Sequence, residues 1–261
     1  MNKCFLPGIV LVISLSATAQ ESEVADMSDP LAIYTQGGVG FSDKGINLKL
    51  GKAYDTGDPS TAAQYVIEAK GLLGDWAGWR SDNRTTQSLD SVRFRNFNVT
   101  LPTMQASQID VNYSFRANAV ADESADISYS FIKALPPTGA FTFYPLAGVG
   151  ASIGKDRQRS GGQIDDGYGF MGVYGLIGMY SLMTITDKIW LNYNPFWLTT
   201  IGGNSYYKDN YYGIDESHLL THELALSYQI SPRMNVRLFA NWNENIDLTD
   251  GDHRIEFNYQ F

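Results

Sequence analysis

The chain has 261 residues, of which 44% are hydrophobic and 13% are aromatic, and its formal net charge at pH 7 is −9. This acidic balance excludes nucleic acid as a partner, because binding phosphate requires a basic face. The 16 tyrosines and 25 glycines favour a folded chain rich in β structure. The only cysteine is Cys4.

The N-terminus has the three parts of a secretory signal. Lys3 supplies a positive charge, an apolar stretch runs from Phe5 to Leu15, and Ala17 and Ala19 form an Ala-x-Ala cleavage site. The apolar stretch is too short to span a bilayer as a helix, which takes about 20 residues. We therefore predict a signal peptide over residues 1–19. Its removal takes the net charge to −10 and removes Cys4, which excludes disulfide and thiol chemistry from the mature protein.

The first predicted strand contains Gly37, Gly38 and Gly40. These glycines do not form a phosphate loop, because no helix is predicted after them. We interpret them as room for closely packed neighbours in a sheet.

A clear strand pattern follows in Ser107 to Ala117, where apolar and polar residues alternate with a period of two. One face carries Ile109, Val111, Tyr113 and Phe115, and the other carries Asp110, Asn112, Ser114 and Arg116.

The stretch from Gly167 to Met183 is apolar on both faces. One interpretation is that the inner face packs against a loop or plug, as the filled interiors of narrow barrels do. The other is a lumen with an apolar side, which would suit an apolar compound. The first interpretation is favoured.

Alternation returns in Leu219 to Gln229, in Met234 to Trp242, and in Arg254 to Phe261. The last stretch has Ile255, Phe257, Tyr259 and Phe261 on one face and Arg254, Glu256, Asn258 and Gln260 on the other. These segments match tilted transmembrane strands of about 9 to 11 residues better than soluble strands of about 5 to 6. Because nothing after Ala19 resembles a transmembrane helix, a membrane location requires strands.

The connections alternate between long and tight, as in bacterial barrels with long outer loops and short periplasmic turns. The long breaks are predicted at 74–89, 154–167, 202–217 and 243–251, and the tight ones at 135–139, 186–188 and 231–233. The series continues with breaks at 118–123 and 102–106, a less regular break at 53–61 and a short one at 42–45. A soluble sandwich has no reason to keep this asymmetry.

The C-terminal pattern resembles the assembly signal of outer-membrane barrel proteins. In this chain Phe261 ends a strand that has apolar residues at every second position. The layout of Thr186 to Phe196, followed by Thr221 to Tyr228, is also similar to small twelve-stranded porins of the oligogalacturonate-specific type. In such porins lumenal basic residues meet an acidic sugar, which implies the candidates Arg93, Arg95, Arg116, Arg237 and Arg254. Asp110, Glu223 and Glu256 share the same polar faces, which argues against uronate selectivity.

Catalysis and metal binding are both disfavoured. His218 and His222 share a face with Leu220 and Leu224, which is the predicted lipid face, and no serine follows in a lipase-like spacing. An interfacial position is therefore favoured for them, and also for His253. The acidic loops could hold Ca²⁺, but none has the spacing of an EF-hand loop and a solvated surface is favoured.

We expect an all-β fold, a closed antiparallel transmembrane β-barrel of about twelve strands. The predicted organisation is a signal peptide over residues 1–19, an N-terminal periplasmic segment over residues 20–29 and an outer-membrane barrel over residues 30–261. The predicted function is a porin that passes small hydrophilic solutes by passive diffusion. The alternatives are a non-conducting structural or adhesive barrel and, less favoured, a lipid-modifying enzyme.

The candidate lumen-lining residues are Arg93, Arg95, Asp110, Asn112, Arg116, Glu223, Arg237, Asn241, Arg254 and Glu256. The candidate outer-loop residues are Tyr206, Tyr207, Tyr211 and Tyr212, which could stack on sugar or belong to the interfacial girdle. No catalytic residue, metal or cofactor is expected. The expected partners are outer-membrane lipid and lipopolysaccharide, small solutes, and the assembly machinery through the C-terminal strand.

Overall fold

The structure is a computed structural model that describes residues 24–74 and 89–261. The predicted signal peptide lies outside the described residues. The strands are β1 (Gln36–Ser42), β2 (Gly45–Tyr54), β3 (Thr61–Leu72), β4 (Ser91–Thr100), β5 (Gln105–Ser114), β6 (Glu123–Lys133), β7 (Phe141–Gln158), β8 (Ile164–Thr186), β9 (Ile189–Gly203), β10 (His218–Ser231), β11 (Met234–Asn243) and β12 (Asp252–Gln260). A short helix, α1 (Ser205–Asn210), follows β9.

Each strand pairs with its two neighbours in sequence, and the sheet closes when β1 pairs antiparallel with β12, from Gln36 opposite Gln260 to Ser42 opposite Arg254. Closure gives each of the twelve described strands two neighbours. The predicted fold class, a closed antiparallel barrel of about twelve strands, is confirmed.

The outer surface of the barrel is apolar. Leu50, Val149, Ile177 and Leu238 are more than half exposed, and each is on the face of its strand that points away from the lumen. Contact between such a surface and water is unfavourable in free energy, whereas contact with the hydrocarbon chains of lipid is not. The chain is therefore a transmembrane β-barrel, the form in which strands cross the outer membrane of Gram-negative bacteria. No helix in residues 24–74 and 89–261 is long and apolar enough to cross a membrane.

The two ends of the barrel differ. We call the end that carries the start of β1 and the end of β12 the inner end, and the opposite one the outer end. Turns at the inner end include Asp187–Lys188 and Pro232–Arg233, whereas residues 204–217 and 244–251 form longer connections at the outer end. The predicted long break at 154–167 is wrong, because β7 continues to Gln158 and β8 begins at Ile164. This hairpin continues past the neighbouring strands, with Arg157 and Arg159 both paired to Asp165.

Residues 24–35 precede β1 and pack inside the inner end of the barrel. The Gln260 side chain receives a hydrogen bond from the Ala25 amide at 3.1 Å and donates one to the Ala25 carbonyl at 3.0 Å. The Tyr144 hydroxyl donates to Asp29 Oδ1 at 3.0 Å. We call residues 24–35 the N-terminal segment.

Candidate functional site

Two cavities lie in the lumen that the described residues line. The larger one, which we call the outer chamber, has a volume of about 890 Å³ and reaches from the outer connections to the middle of the barrel. The smaller one, the inner cavity, measures about 160 Å³ and lies above the N-terminal segment. Arg95, Tyr180 and Glu223 line both cavities and mark the level at which the lumen narrows.

One side of the outer chamber is charged. We call the inward side chains Lys70, Arg93, Arg95 and Asp110, which line the chamber, together with Glu68, which pairs with Arg95, the charged wall. Arg93 Nε donates to Asp110 Oδ1 at 2.8 Å, and Arg95 is paired with Glu68 at 2.9 Å. The side chains of Glu68 and Asp110 are little exposed, so a charge without a partner would be costly there. Each of these two ion pairs is neutral overall, so they add no net charge to this wall.

Lys70 differs from the two arginines. It lines the outer chamber, and within residues 24–74 and 89–261 its ammonium interacts with the Glu68 carboxylate but forms no direct ion pair. The charged wall therefore carries two matched pairs and one additional cation.

Another side of the outer chamber is apolar. We call the inward side chains Leu146, Tyr174, Leu176, Tyr180, Phe196 and Leu198, on β7 to β9, the apolar wall. Glycines make room for its rings. A Cβ atom at Gly150 would lie 2.3 Å from Cζ of Tyr174, and one at Gly178 would lie 2.3 Å from Cδ1 of Phe196. Both rings thus lie over a strand position that has no side chain.

Glu223 is on β10, next to the apolar wall. Its Oε1 accepts a hydrogen bond from Asn194 Nδ2 at 2.9 Å, and no cation of residues 24–74 and 89–261 forms an ion pair with it. In a ring of twelve strands β10 lies diametrically opposite β4, which carries Arg93 and Arg95. An unmatched carboxylate therefore faces the basic side chains across the lumen.

An apolar cluster closes the inner end. Leu31 of the N-terminal segment is 4% exposed and packs with Val99, Ile132 and Leu182, which point inward from β4, β6 and β8. Trp190 belongs to the same cluster. The N-terminal segment therefore forms a plug at this end of the lumen.

The connection that contains α1 folds over the outer end. Tyr207 is buried against Val120, Ala121 and Met171, and burial raises the pKa of its hydroxyl to about 12. The Tyr211 hydroxyl donates to the inward carboxylate of Asp126, and burial together with that carboxylate raises its pKa well above the ordinary value.

These contacts change the position expected for the outer-loop tyrosines. Tyr207 lies in the interior, and Tyr211 and Tyr212 line the outer chamber, so these three do not present a surface to the outside. Tyr206 packs beside the same cluster. The Tyr207 ring fills the space above Gly172, where a Cβ atom would lie 2.3 Å from Cε1 of the ring.

The structure brings six of the ten lumen candidates together. Arg93, Arg95, Asp110, Asn112, Glu223 and Asn241 all line the outer chamber. Arg237 lines the inner cavity, where it donates to Asn192 Oδ1 at 2.8 Å.

The other candidates lie elsewhere. Arg254 and Glu256 face inward but are packed in the wall, with Lys49 Nζ 2.6 Å from Glu256 Oε1 and the Arg254 guanidinium 4.1 Å from the centre of the Phe239 ring. Arg116 lies beyond the end of β5, where it pairs with Asp90 at 3.0 Å.

The predicted set lacked several inward charged residues of the described strands, among them Lys49, Glu68, Lys70, Asp126 and Asp252. A usable signal was present in the sequence. Lys49 lies between Leu48 and Leu50, and Glu68 follows Tyr65 and Ile67 in the same alternation. Their inward direction could therefore have been predicted from parity.

The predicted position of the histidines agrees with the strand register. His222 is opposite Trp242 on the outward face, and its ring stacks on that of Trp242 at 5.0 Å. The Tyr193 hydroxyl lies 2.8 Å from Nδ1 of His222. Such an outward cluster is typical of an interfacial girdle.

Comparison with solved structures finds porins and other outer-membrane barrels. The NanC porin matches 87% of this chain and 98% of its own, with a TM-score of 0.51 and 8% identity. The KdgM porin in complex with disordered oligogalacturonate matches 88% of this chain and 99% of its own, with a TM-score of 0.47 and 8% identity. The translocator domain of the autotransporter NalP from Neisseria meningitidis matches 87% and 86%, with a TM-score of 0.48 and 12% identity.

No protein-family model and no curated protein sequence matches the chain. The chain is similar in fold to the NanC porin, and this confirms, at the level of fold, the resemblance to small twelve-stranded porins.

Proposed function

We propose that this barrel is a narrow outer-membrane channel through which small hydrophilic solutes pass by diffusion. The observation that carries the proposal is the outer chamber, a cavity of about 890 Å³ lined by paired charges inside a closed barrel. Charged groups are expensive to place in a dry interior, so their concentration here favours a hydrated path.

A second candidate function is favoured by the N-terminal segment. Because Leu31 and Met27 are buried at the inner end, the path is closed there in this conformation. A barrel that stayed closed would be a non-conducting structural or adhesive protein. For conduction the N-terminal segment must move away from the inner end.

The test is single-channel conductance of the full-length protein, refolded and inserted in a planar bilayer, with a salt gradient across it. Discrete current steps with a definite reversal potential are the expected result. A silent bilayer, from protein whose barrel is shown to be folded by circular dichroism, would reject diffusion through the native chain and favour the second candidate.

A further inference from the structure

We propose that the outer chamber binds an organic monocation with an apolar body, such as an arylalkylammonium ion. This inference rests on the proposed function and names the class of solute that the channel would take. Three observations carry it: a carboxylate without an ion pair in the described chain, an apolar surface on the strand beside that carboxylate, and an excess of carboxylates over cations in the chamber lining.

Glu223 supplies the anionic group. Its Oε1 accepts a hydrogen bond from Asn194 Nδ2 at 2.9 Å, whereas Oε2 has no hydrogen-bond partner among residues 24–74 and 89–261. A carboxylate can accept several hydrogen bonds, so Glu223 retains capacity for a donor in the chamber that it lines. Because charge-assisted hydrogen bonds are stronger than neutral ones, a solute ammonium is the expected donor.

Arg237, the inward cation of the neighbouring strand β11, is engaged elsewhere. On the ladder between β10 and β11, Glu223 is opposite Asn241, whereas Arg237 is opposite Ser227, which is nearer the inner end. The Arg237 guanidinium donates to Ser227 Oγ at 3.0 Å and to Asn192 Oδ1 at 2.8 Å. Its hydrogen bonds therefore go to neutral partners, and the Glu223 carboxylate stays available to a solute.

The apolar surface lies beside Glu223 on the same side of the lumen. On the ladder between β9 and β10, Glu223 is opposite Asn194, and Phe196 comes two residues further along β9. Such diagonal neighbours in an antiparallel pair are about 7 to 8 Å apart, within reach of long and aromatic side chains. The Tyr180 ring packs edge-on against that of Phe196, with their centroids 5.4 Å apart. One small solute can therefore contact the carboxylate and the rings together.

The same surface continues toward the outer end. Leu198 is opposite Leu219 on this ladder, and both line the outer chamber with Phe196. Contact between such side chains and water is unfavourable in free energy, so a solute that covers them gains affinity. The chamber volume of about 890 Å³ is within the range of about 300 to 1,000 Å³ that is typical of small-molecule sites. An apolar body of the size of one aromatic ring has room there.

The charge of the chamber lining favours a cation over an anion. Six carboxylates and four Lys or Arg side chains of the described chain line the outer chamber, an excess of two negative charges. Three of these carboxylates, Asp43, Asp250 and Asp252, lie at the outer end, where a solute enters. A mouth lined by one sign of charge raises the local concentration of the opposite ion. The lining therefore attracts a cation toward Glu223.

Equilibrium binding to the full-length protein in detergent micelles at pH 7 tests the proposal, with isothermal titration calorimetry and titrations into empty micelles subtracted. Phenethylamine has the ring and the positive charge. Ethylamine lacks the ring, 2-phenylethanol lacks the charge, and phenylacetate carries the opposite charge. We expect phenethylamine to bind about tenfold more tightly than each of the other probes, since it alone makes both contacts.

Matched variants identify the contacts. Glu223→Gln keeps an acceptor for Asn194 and should weaken phenethylamine about tenfold while leaving 2-phenylethanol unchanged. Leu198→Asn should reduce the advantage of phenethylamine over ethylamine. Asp187→Asn removes the same charge as Glu223→Gln from an exposed position in the inner turn between β8 and β9, and as the control it should change nothing.

Equal affinity for phenethylamine and 2-phenylethanol, or tighter binding of phenylacetate, would overturn the proposal. The same holds if the Glu223→Gln protein, shown by circular dichroism to be folded, binds phenethylamine as tightly as the native chain does. Binding is measured without conduction, so the two proposals can fail separately. A silent bilayer with phenethylamine bound rejects the channel, and a conducting barrel without such binding rejects the solute class.

Discussion

Single residues decide the shape of the outer chamber, and glycines do so as much as large side chains. The ring of Tyr174 lies over Gly150, where a Cβ atom would be 2.3 Å from Cζ of the ring. A ring placed over a strand glycine covers the exposed backbone and takes little of the chamber volume. The apolar wall therefore depends on residues that have no side chain.

We predict that Gly150→Ala destabilises the barrel by about 1 to 3 kcal/mol, because the added methyl group forces the Tyr174 ring out of its place. Gly175→Ala is the matched control, since a Cβ atom there meets only Cγ2 of Ile201 at 3.8 Å and faces away from the lumen. Urea unfolding in lipid vesicles measures both. Equal midpoints for the two variants would contradict the expected clash.

At the scale of elements, two segments outside the strands close the barrel. The connection with α1 covers the outer end through Tyr207 and Tyr211, and the N-terminal segment fills the inner end through Leu31. Among the described residues, each is held mainly by side-chain contacts, with backbone hydrogen bonds to the barrel only near its ends, as from Asn204 N to the Met171 carbonyl at 3.1 Å and from Phe261 N to the Thr35 carbonyl at 3.0 Å. Both can therefore move without breaking the barrel.

The outer connection should loosen at high pH. Burial raises the pKa of Tyr207 to about 12, above its ordinary value of 10.0. The stabilisation from the neutral hydroxyl is thus complete below pH 10 and is lost as the pH rises through about 12. The ultraviolet absorbance of tyrosinate follows this titration, and Tyr207→Phe should remove one ionisation near pH 12. An unchanged high-pH phase in this variant would contradict the assignment, and circular dichroism checks that the barrel persists.

Displacing the N-terminal segment should open the inner end. Leu31→Asp places a carboxylate in an apolar cluster, which costs several kcal/mol and exceeds what the hydrogen bonds of Ala25 and Asp29 provide. We expect larger or more frequent current steps in a planar bilayer. Leu135→Asp, exposed in the connection between β6 and β7, is the control and should behave as the native chain. Identical currents in all three proteins would show that the segment does not obstruct a path.

The strands could be predicted from sequence, but the two closing segments could not. Alternation is local, so the face of Asp110 or Arg237 follows from its neighbours in the chain. The position of the N-terminal segment depends on contacts such as that of Ala25 with Gln260, 235 residues away, which no local pattern records. The predicted break at 154–167 failed for a related reason, because the ladder between β7 and β8 continues to Gln158 opposite Ile164 although these residues are polar and rich in glycine.

For the whole molecule, the decisive feature is which face of the sheet meets water. The alternation of apolar and polar residues is compatible with both a soluble sandwich and a membrane barrel. Closure of the sheet, exposed apolar side chains outside and paired charges inside assign the apolar face to lipid. The lumenal charges follow from the same arrangement, since polar side chains have only the interior left to occupy.

This assignment predicts opposite effects for one substitution on the two faces of β11. Leu238 is 53% exposed in the middle of the strand and faces outward between Leu226 and Ile255. Leu238→Arg should cost about 2 to 4 kcal/mol in lipid, because a guanidinium near the bilayer centre is poorly solvated. Asn241→Arg, on the inward face of the same strand, should cost less than about 1 kcal/mol, because the outer chamber is hydrated and polar. Urea unfolding in vesicles of one lipid composition measures both values. If the outward face met water, the ranking would not hold, since an exposed leucine on a soluble sheet accepts arginine at little cost.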